Sequence, residues 1–241
     1  MKAAADWVSC DASDVSQAEQ RPWALDPWKL EVETTGRGKP KRILGTGAFT
    51  VVYQATYEGA EVVVKEPHDT QVIDGDESTR KAFMKEAMLL FSMSHLNVSN
   101  LVGAILSDEH GDSCYLLVTE ALLQPLDRFI ELILRPAGAN EQQARGRAIM
   151  QGLADGLTYL HAHEIVHGDL QPKNVKVEAN DVAKLVGFEL VKVKQLVASS
   201  SESVKQGHVC WMSPEQKRGG SATLASDVYS LGLVMSYVMT R

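Results

Sequence analysis

Cysteine is scarce in this 241-residue chain, which carries only Cys10, Cys114 and Cys210. The number is odd, the three lie far apart, and none falls at metal-ligand spacing, so neither a disulfide framework nor a zinc cluster follows from them. Free thiols in a reducing compartment, the cytoplasm, are the expectation. Positive charge is also short: 24 Lys and Arg stand against 31 Asp and Glu, for a net charge of -7. That excludes the basic stripe of a nucleic-acid binder. No window approaches the ~18 continuous apolar residues of a membrane-spanning helix. The N-terminal "MKAAADWVSCDASD" has no apolar stretch of the secretory kind, and no solenoid-length repeat occurs. What is there is ordinary globular composition, 44% hydrophobic and 23% charged, in a chain long enough for one large domain or two lobes.

Residues 1–41 form a tail and connector: an Ala-, Ser-, Asp- and Gln-rich stretch to about residue 28, then the polar connector "ETTGRGKPK". Trp7, Trp23 and Trp28 predict that the tail docks in part through its aromatics. From Arg42, "RILGTGAFTVVYQATYEGAEVVVKE" reads as three short β-rich runs, with turns at Gly45–Phe49 and at Glu58-Gly59. A helix is predicted in "STRKAFMKEAMLLFSMSH", where Phe83, Ala87 and Leu90 share a face after a Ser/Thr start. "CYLLVTEALL" reads as a buried strand. Ile149, Leu153, Leu157 and Leu160 recur at steps of 4, 4 and 3, which predicts an amphipathic helix. A last helix runs through "ASDVYSLGLVMSYVM". Strands first and helices after predict an α+β chain, with a small β-rich lobe over about 42–120 and a helical lobe over about 121–241.

Six features then follow in order: "GTGAFTVV", "VVVK", a glutamate in the next helix, "HGDLQPKN", "GFE", and "WMSPE" followed by "SDVYSLG". Together they resemble a eukaryotic protein kinase domain of the tyrosine-kinase-like Ser/Thr group, over residues 42–241. The resemblance implies a bilobal kinase fold that uses ATP and magnesium. It matches Gly45 and Gly47 to glycines whose backbone approaches phosphates, since no Cβ intervenes, and Val52 to the residue covering adenine. Lys65 matches the lysine on the α- and β-phosphates, and Glu86 the glutamate that holds it. Asp169 matches the catalytic base and Asn174 a metal ligand. Thr119 would guard the back of the pocket, and the backbone from Glu120 to Leu122 would meet adenine. Leu90, His167, Phe188 and Asp227 match the types of an internal packing spine.

Departures cluster on the chemistry. Gly187 stands where the family carries the aspartate that chelates magnesium. Gln171 replaces a lysine near the γ-phosphate. Gly168 replaces an arginine that anchors a phosphorylated activation loop. His208 replaces a threonine of the substrate-side loop, and Thr50 the third glycine of the hairpin. Val63 replaces an alanine, and Lys176 a leucine beneath adenine, where its ammonium must snorkel outward or bear a burial penalty. Glu189 is either a substitute metal ligand or a solvated surface residue. Ser199, Ser200, Ser201 and Ser203 form either a flexible polar loop or a phosphorylation site. Relative to the resemblance the last helices of the large lobe are missing, so Glu215 lacks its usual arginine and is expected to be solvated.

Scaffold kept and phosphate chemistry eroded is the pattern of a pseudokinase, acting through a protein partner. The alternative is an active Ser/Thr kinase of low activity on a protein substrate, since Lys65, Glu86 and Asp169 remain. A third reading starts from "HGDL", which also resembles small-molecule phosphotransferases, but "WMSPE" and "SDVYSLG" are not expected there.

Overall fold

The computed structural model describes residues 22–35, 40, 42–46, 50–68, 77–108, 110–121, 124–178, 180–188 and 209–240. Gly47, Leu122, Glu189, the 199–203 serine run and His208 lie outside them. Two compact units form, one from Met1–Phe91 with Leu101–Thr119, the other from Ser92–Asn100 with Glu120–Arg241.

Unit one is a sheet of six strands: β1 (Leu30–Glu31), β2 (Ile43–Thr46), β3 (Thr50–Tyr57), β4 (Ala60–Pro67), β5 (Leu101–Ser107) and β6 (Ser113–Glu120). Their order is β1-β3-β4-β6-β5, with β2 also on β3. The β3–β4 hairpin turns on Glu58 and Gly59, at φ 49° and 82°. Two successive positive φ values suit the right-handed twist of paired strands. Alternation then sorts the faces, burying Tyr53, Ala55, Val62 and Val64 with Ile105 and Val118. Helix α1 (Glu77–Ser92) buries Phe83, Ala87 and Leu90, the face expected from their spacing. Phe83 meets the Tyr115 ring edge-on at 5.3 Å, a favoured aromatic geometry. Trp23 is buried, while Trp28 is exposed.

Burial in this sheet also sets thiol chemistry. The Cys114 thiol is pushed up to about 12, first by desolvation and then by the Asp108 and Glu66 carboxylates. Cys210 in unit two is exposed, and both are free. Because the thiolate is the nucleophile, Cys114 at pH 8 should alkylate on the order of a thousandfold more slowly than an ordinary thiol. Mass mapping after a short iodoacetamide pulse should find label on Cys210 and none on Cys114; equal labelling would contradict that burial.

Unit two is mainly helical. Helix α2 (Leu126–Phe129) widens into a π turn over Ile130–Leu134, and α3 (Ala139–Ala162) follows. The short α4 (Pro214–Lys217) and the long α5 (Leu224–Thr240) close the unit. On α3 the residues Ile149, Leu153, Leu157 and Leu160 are all buried, as the 3.6-residue period requires. A small sheet of β7 (Gln124–Pro125), β8 (Val175–Val177) and β9 (Ala183–Leu185) lies in the order β7-β8-β9. Asn97 fixes β9, since its Nδ2 donates to Ala183 O at 2.8 Å and its carbonyl accepts from Leu185 N at 2.9 Å. Ser213 caps α4 through a reciprocal box with Gln216, leaving Glu215 exposed. Among the described residues no helix is long and apolar enough to cross a membrane.

Candidate active site

The "HGDLQPKN" segment leaves α3 as a loop that needs an anchor, and Asp227 on α5 provides it. Its carboxylate is 1% exposed and accepts from His167 N at 2.7 Å and Gly168 N at 2.9 Å. His161 Nε2 lies 3.0 Å away as a third partner. A buried carboxylate persists only when its oxygens are satisfied, and here three groups satisfy them. His161 was not singled out in the sequence, because its position on α3 reads as an ordinary helix end. Gly168 has φ 75°, a left-handed backbone that costs an L-residue about 1–2 kcal/mol. Glycine therefore avoids strain here. His167 and Phe188 are both buried, with ring centroids 6.0 Å apart.

Asp169 follows, and its carboxylate is held from both sides. Gln171 Nε2 donates to Oδ1. Asn174 Nδ2 donates to Oδ2 at 2.8 Å and to the Asp169 carbonyl at 2.6 Å. Lys173 Nζ stands 3.9 Å from Oδ2. Gln171, noted in the sequence only as a lost lysine, is thus a buried amide tied to Asp169.

Gly187 lies against the same group. Its φ is 88°, and a Cβ there would sit 3.0 Å from both Cγ and Oδ1 of Asn174. A real Cβ essentially requires more room, so a side chain at 187 needs Asn174 to give way by a few tenths of an ångström. The loop brings Asp169, Gln171, Asn174 and Gly187 together, and residue 187 adds no side-chain oxygen to them. Among the described residues no group of three or more His, Cys, Asp and Glu is placed to hold a metal ion.

Glu120 is a second junction. Its carboxylate receives Lys184 Nζ at 2.8 Å on each oxygen and Asn100 N at 2.8 Å. Glu178 approaches the same ammonium at 3.4 Å. Lys184 is 7% exposed, and a buried cation is kept only with such partners. Nothing in "AKLVGFEL" flags Lys184, since its partner Glu120 lies 64 residues away. Lys176 lies on β8 between the buried Val175 and Val177, opposite Pro125 and Lys184.

Unit one carries the remaining candidates. Val52 and Lys65 are direct cross-strand partners on β3 and β4, so their side chains share one face of the sheet. Gly45 pairs with Val52 across β2 and β3. Glu86 is buried on α1. Thr119 is buried and donates to Val63 O at 3.3 Å.

Residues 39–241 match the description of the protein tyrosine and serine/threonine kinase family. The chain belongs to this family. Among curated kinases it is 32% identical over 206 residues to the Cysteine-rich receptor-like protein kinase 45 of Arabidopsis thaliana, covering 83% of this chain and 55% of that one. It is 32% identical over 199 residues to the Probable serine/threonine-protein kinase SIS8 of the same plant, covering 82% of this chain and 18% of that one. The Probable serine/threonine-protein kinase PknB of Lactococcus lactis is 27% identical over 201 residues, covering 82% of this chain and 30% of that one. The chain thus spans about half the length, or less, of these relatives. Its two units have the contents of a kinase fold, a curled β-rich one and a helical one. Kinases of this family use ATP and magnesium on protein substrates.

Proposed function

We propose that this kinase-family domain has impaired or lost phosphotransfer from ATP and acts by engaging a protein partner, another kinase included. The observation that carries this reading is Gly187, which has no side-chain oxygen and whose Cβ position lies 3.0 Å from the Asn174 amide. Magnesium takes near-octahedral oxygen coordination, usually with one or two carboxylates. Among the described residues the donors here are one neutral amide and the Asp169 carboxylate, which already accepts from Gln171 and Asn174. That set does not fit the ion. Lys176 in place of an apolar floor and Gln171 in place of a cation point the same way. The free Cys114 and Cys210 thiols suit a reducing compartment such as the cytoplasm.

A slow Ser/Thr kinase is the competing reading. Asp169 is retained with Asn174 donating to it, and Lys65 shares a sheet face with Val52.

Thermal unfolding with ATP, with and without magnesium, separates the two. A ligand at 100 times its dissociation constant adds about 2.7 kcal/mol, enough to raise the midpoint by several degrees. Under the proposal, millimolar ATP with magnesium moves the midpoint no more than it moves that of Lys65→Met. A magnesium-dependent rise that Lys65→Met abolishes, followed by label transfer that Asp169→Asn abolishes, would establish the slow kinase.

A further inference from the structure

One short segment reaches both outer edges of the unit-one sheet. At its start, Ala104 N donates to Trp23 O at 2.8 Å and Leu25 N to Ala104 O at 2.9 Å. Ala24 thereby bridges Ala104 in parallel on the side of β5 away from β6. At its end, Leu30 and Glu31 pair with Tyr57 and Thr56 on β3. Between the two, Asp26 caps a 3-10 turn over Pro27–Lys29, its Oδ1 accepting from Trp28 N at 3.0 Å. Asp26 N donates to Tyr57 OH at 3.2 Å, and Lys29 Nζ meets Glu58 at 2.6 Å. Leu25, Leu30 and Val32 pack on the sheet core, and Trp23 is 2% exposed.

The geometry constrains the sheet itself. From Ala24 across β5, β6, β4 and β3 to β1 there are five strand spacings. In a flat sheet these would amount to about 24 Å. The six residue steps from Ala24 to Leu30 contain a 3-10 turn, and such a path reaches only about 16 Å. The segment can hold both edges only if the sheet curls, and while both ends are held the sheet cannot flatten.

Gly103 records how closely the segment is seated. A Cβ there would lie 2.5 Å from Trp23 O and 2.6 Å from Leu25 Cγ. The first contact is with backbone, which cannot rotate aside as a side-chain tip can.

We propose that Trp23–Val32 is a clasp that joins the β5 and β3 edges and holds the sheet in its curled form. The folded unit therefore includes Trp23–Val32, ahead of residue 39 where the family match starts. One strand it ties, β3, carries Val52 and pairs with β4, which carries Lys65. The clasp is independent of any turnover, so its test needs no nucleotide.

Native-state hydrogen exchange on the full chain should find the Leu25 and Ala104 amides within about tenfold of the β3–β4 ladder amides, because one cooperative opening exposes them all. Gly103→Val should lower the midpoint by several degrees and release protection at residues 25 and 104. Trp23→Ala should do the same in part, and should add little in the double variant, since each removes the same contact. Wild-type exchange at Leu25 and Ala104 more than a hundredfold faster than the ladder would overturn the clasp. So would a Gly103→Val midpoint equal to wild type, or fully additive losses. If Gly103→Val does not fold, Trp23→Ala decides alone: unchanged protection at Ala104 overturns the clasp, and lost protection upholds it.

Discussion

Asp227→Ala should lower the stability of unit two by about 3–5 kcal/mol, since it removes the buried acceptor of the His167 and Gly168 amides. His167 N and Gly168 N both donate to this one carboxylate, and His161 is its third partner. An unsatisfied buried N–H costs roughly 1–3 kcal/mol; the buried His167 amide bears that in full, and the half-buried Gly168 amide and the lost His161 contact add to it. Against a total stability of about 5–15 kcal/mol, the variant should melt far earlier or not fold cooperatively. Asp227→Asn is the informative partner. It keeps one acceptor oxygen but turns an NH2 toward a donor, so its cost should fall between wild type and alanine. Amide exchange reads the mechanism directly, with protection collapsing at residues 167 and 168 in Asp227→Ala and at only one of the two in Asp227→Asn, while β3–β4 amides in unit one keep theirs. An Asp227→Ala protein that melts within a degree or two of wild type would mean that the loop has another anchor.

How far the sequence could foresee this architecture depended on whether a feature had a local period. Ile149, Leu153, Leu157 and Leu160 did, and α3 buries all four. The β3–β4 hairpin was legible from alternation around Glu58-Gly59, where both residues take positive φ. Strand β5 was not anticipated, because "LVGAILS" is apolar at nearly every position and offers neither period. It is buried on both faces at Ala104 and Ile105, and a doubly covered strand loses its alternation. Docking of the tail through Trp23 is legible from its aromatics, but the two edge pairings of the clasp are not, for a different reason. Its paired pieces are one to two residues long, and its partners Ala104 and Tyr57 lie far along the chain. At the site, a glycine at 187, with no side-chain oxygen, is legible in the sequence itself. That Asn174 lies against that position is not, since it depends on how two loops meet. The same holds for Lys184 on Glu120 and His161 on Asp227, polar pairs separated by 64 and 66 residues.

Gly187→Asp combined with Gln171→Lys should raise magnesium-dependent ATP affinity on the order of 10–100-fold, the range over which single groups around a metal change its binding. Gly187→Asp alone should gain less. The argument runs through Asn174, whose Cγ and Oδ1 lie 3.0 Å from where the new Cβ would stand. Its Nδ2 is held by two oxygens of Asp169, at 2.6 and 2.8 Å, and Gln171 holds the same aspartate from the other side. Asn174 therefore cannot yield to a side chain at 187 without loosening Asp169. Lysine at 171 retains a donor to Asp169 and is longer and more flexible than the amide, which lets Asp169 and Asn174 shift together. It also restores a cation where phosphate charge must be steadied. The backbone sets a toll: φ at 187 is 88°, and an aspartate tolerates the left-handed region better than most residues but still at about 1 kcal/mol. The single variant should accordingly melt slightly below wild type without ligand, and the pair about the same. Titration calorimetry with ATP and magnesium supplies the affinities, and a double-mutant cycle supplies the coupling between 171 and 187. Two gains that multiply without interaction would show that Asn174 moves freely. No gain from either would locate the lesion elsewhere, with Lys176→Leu as the next substitution to make.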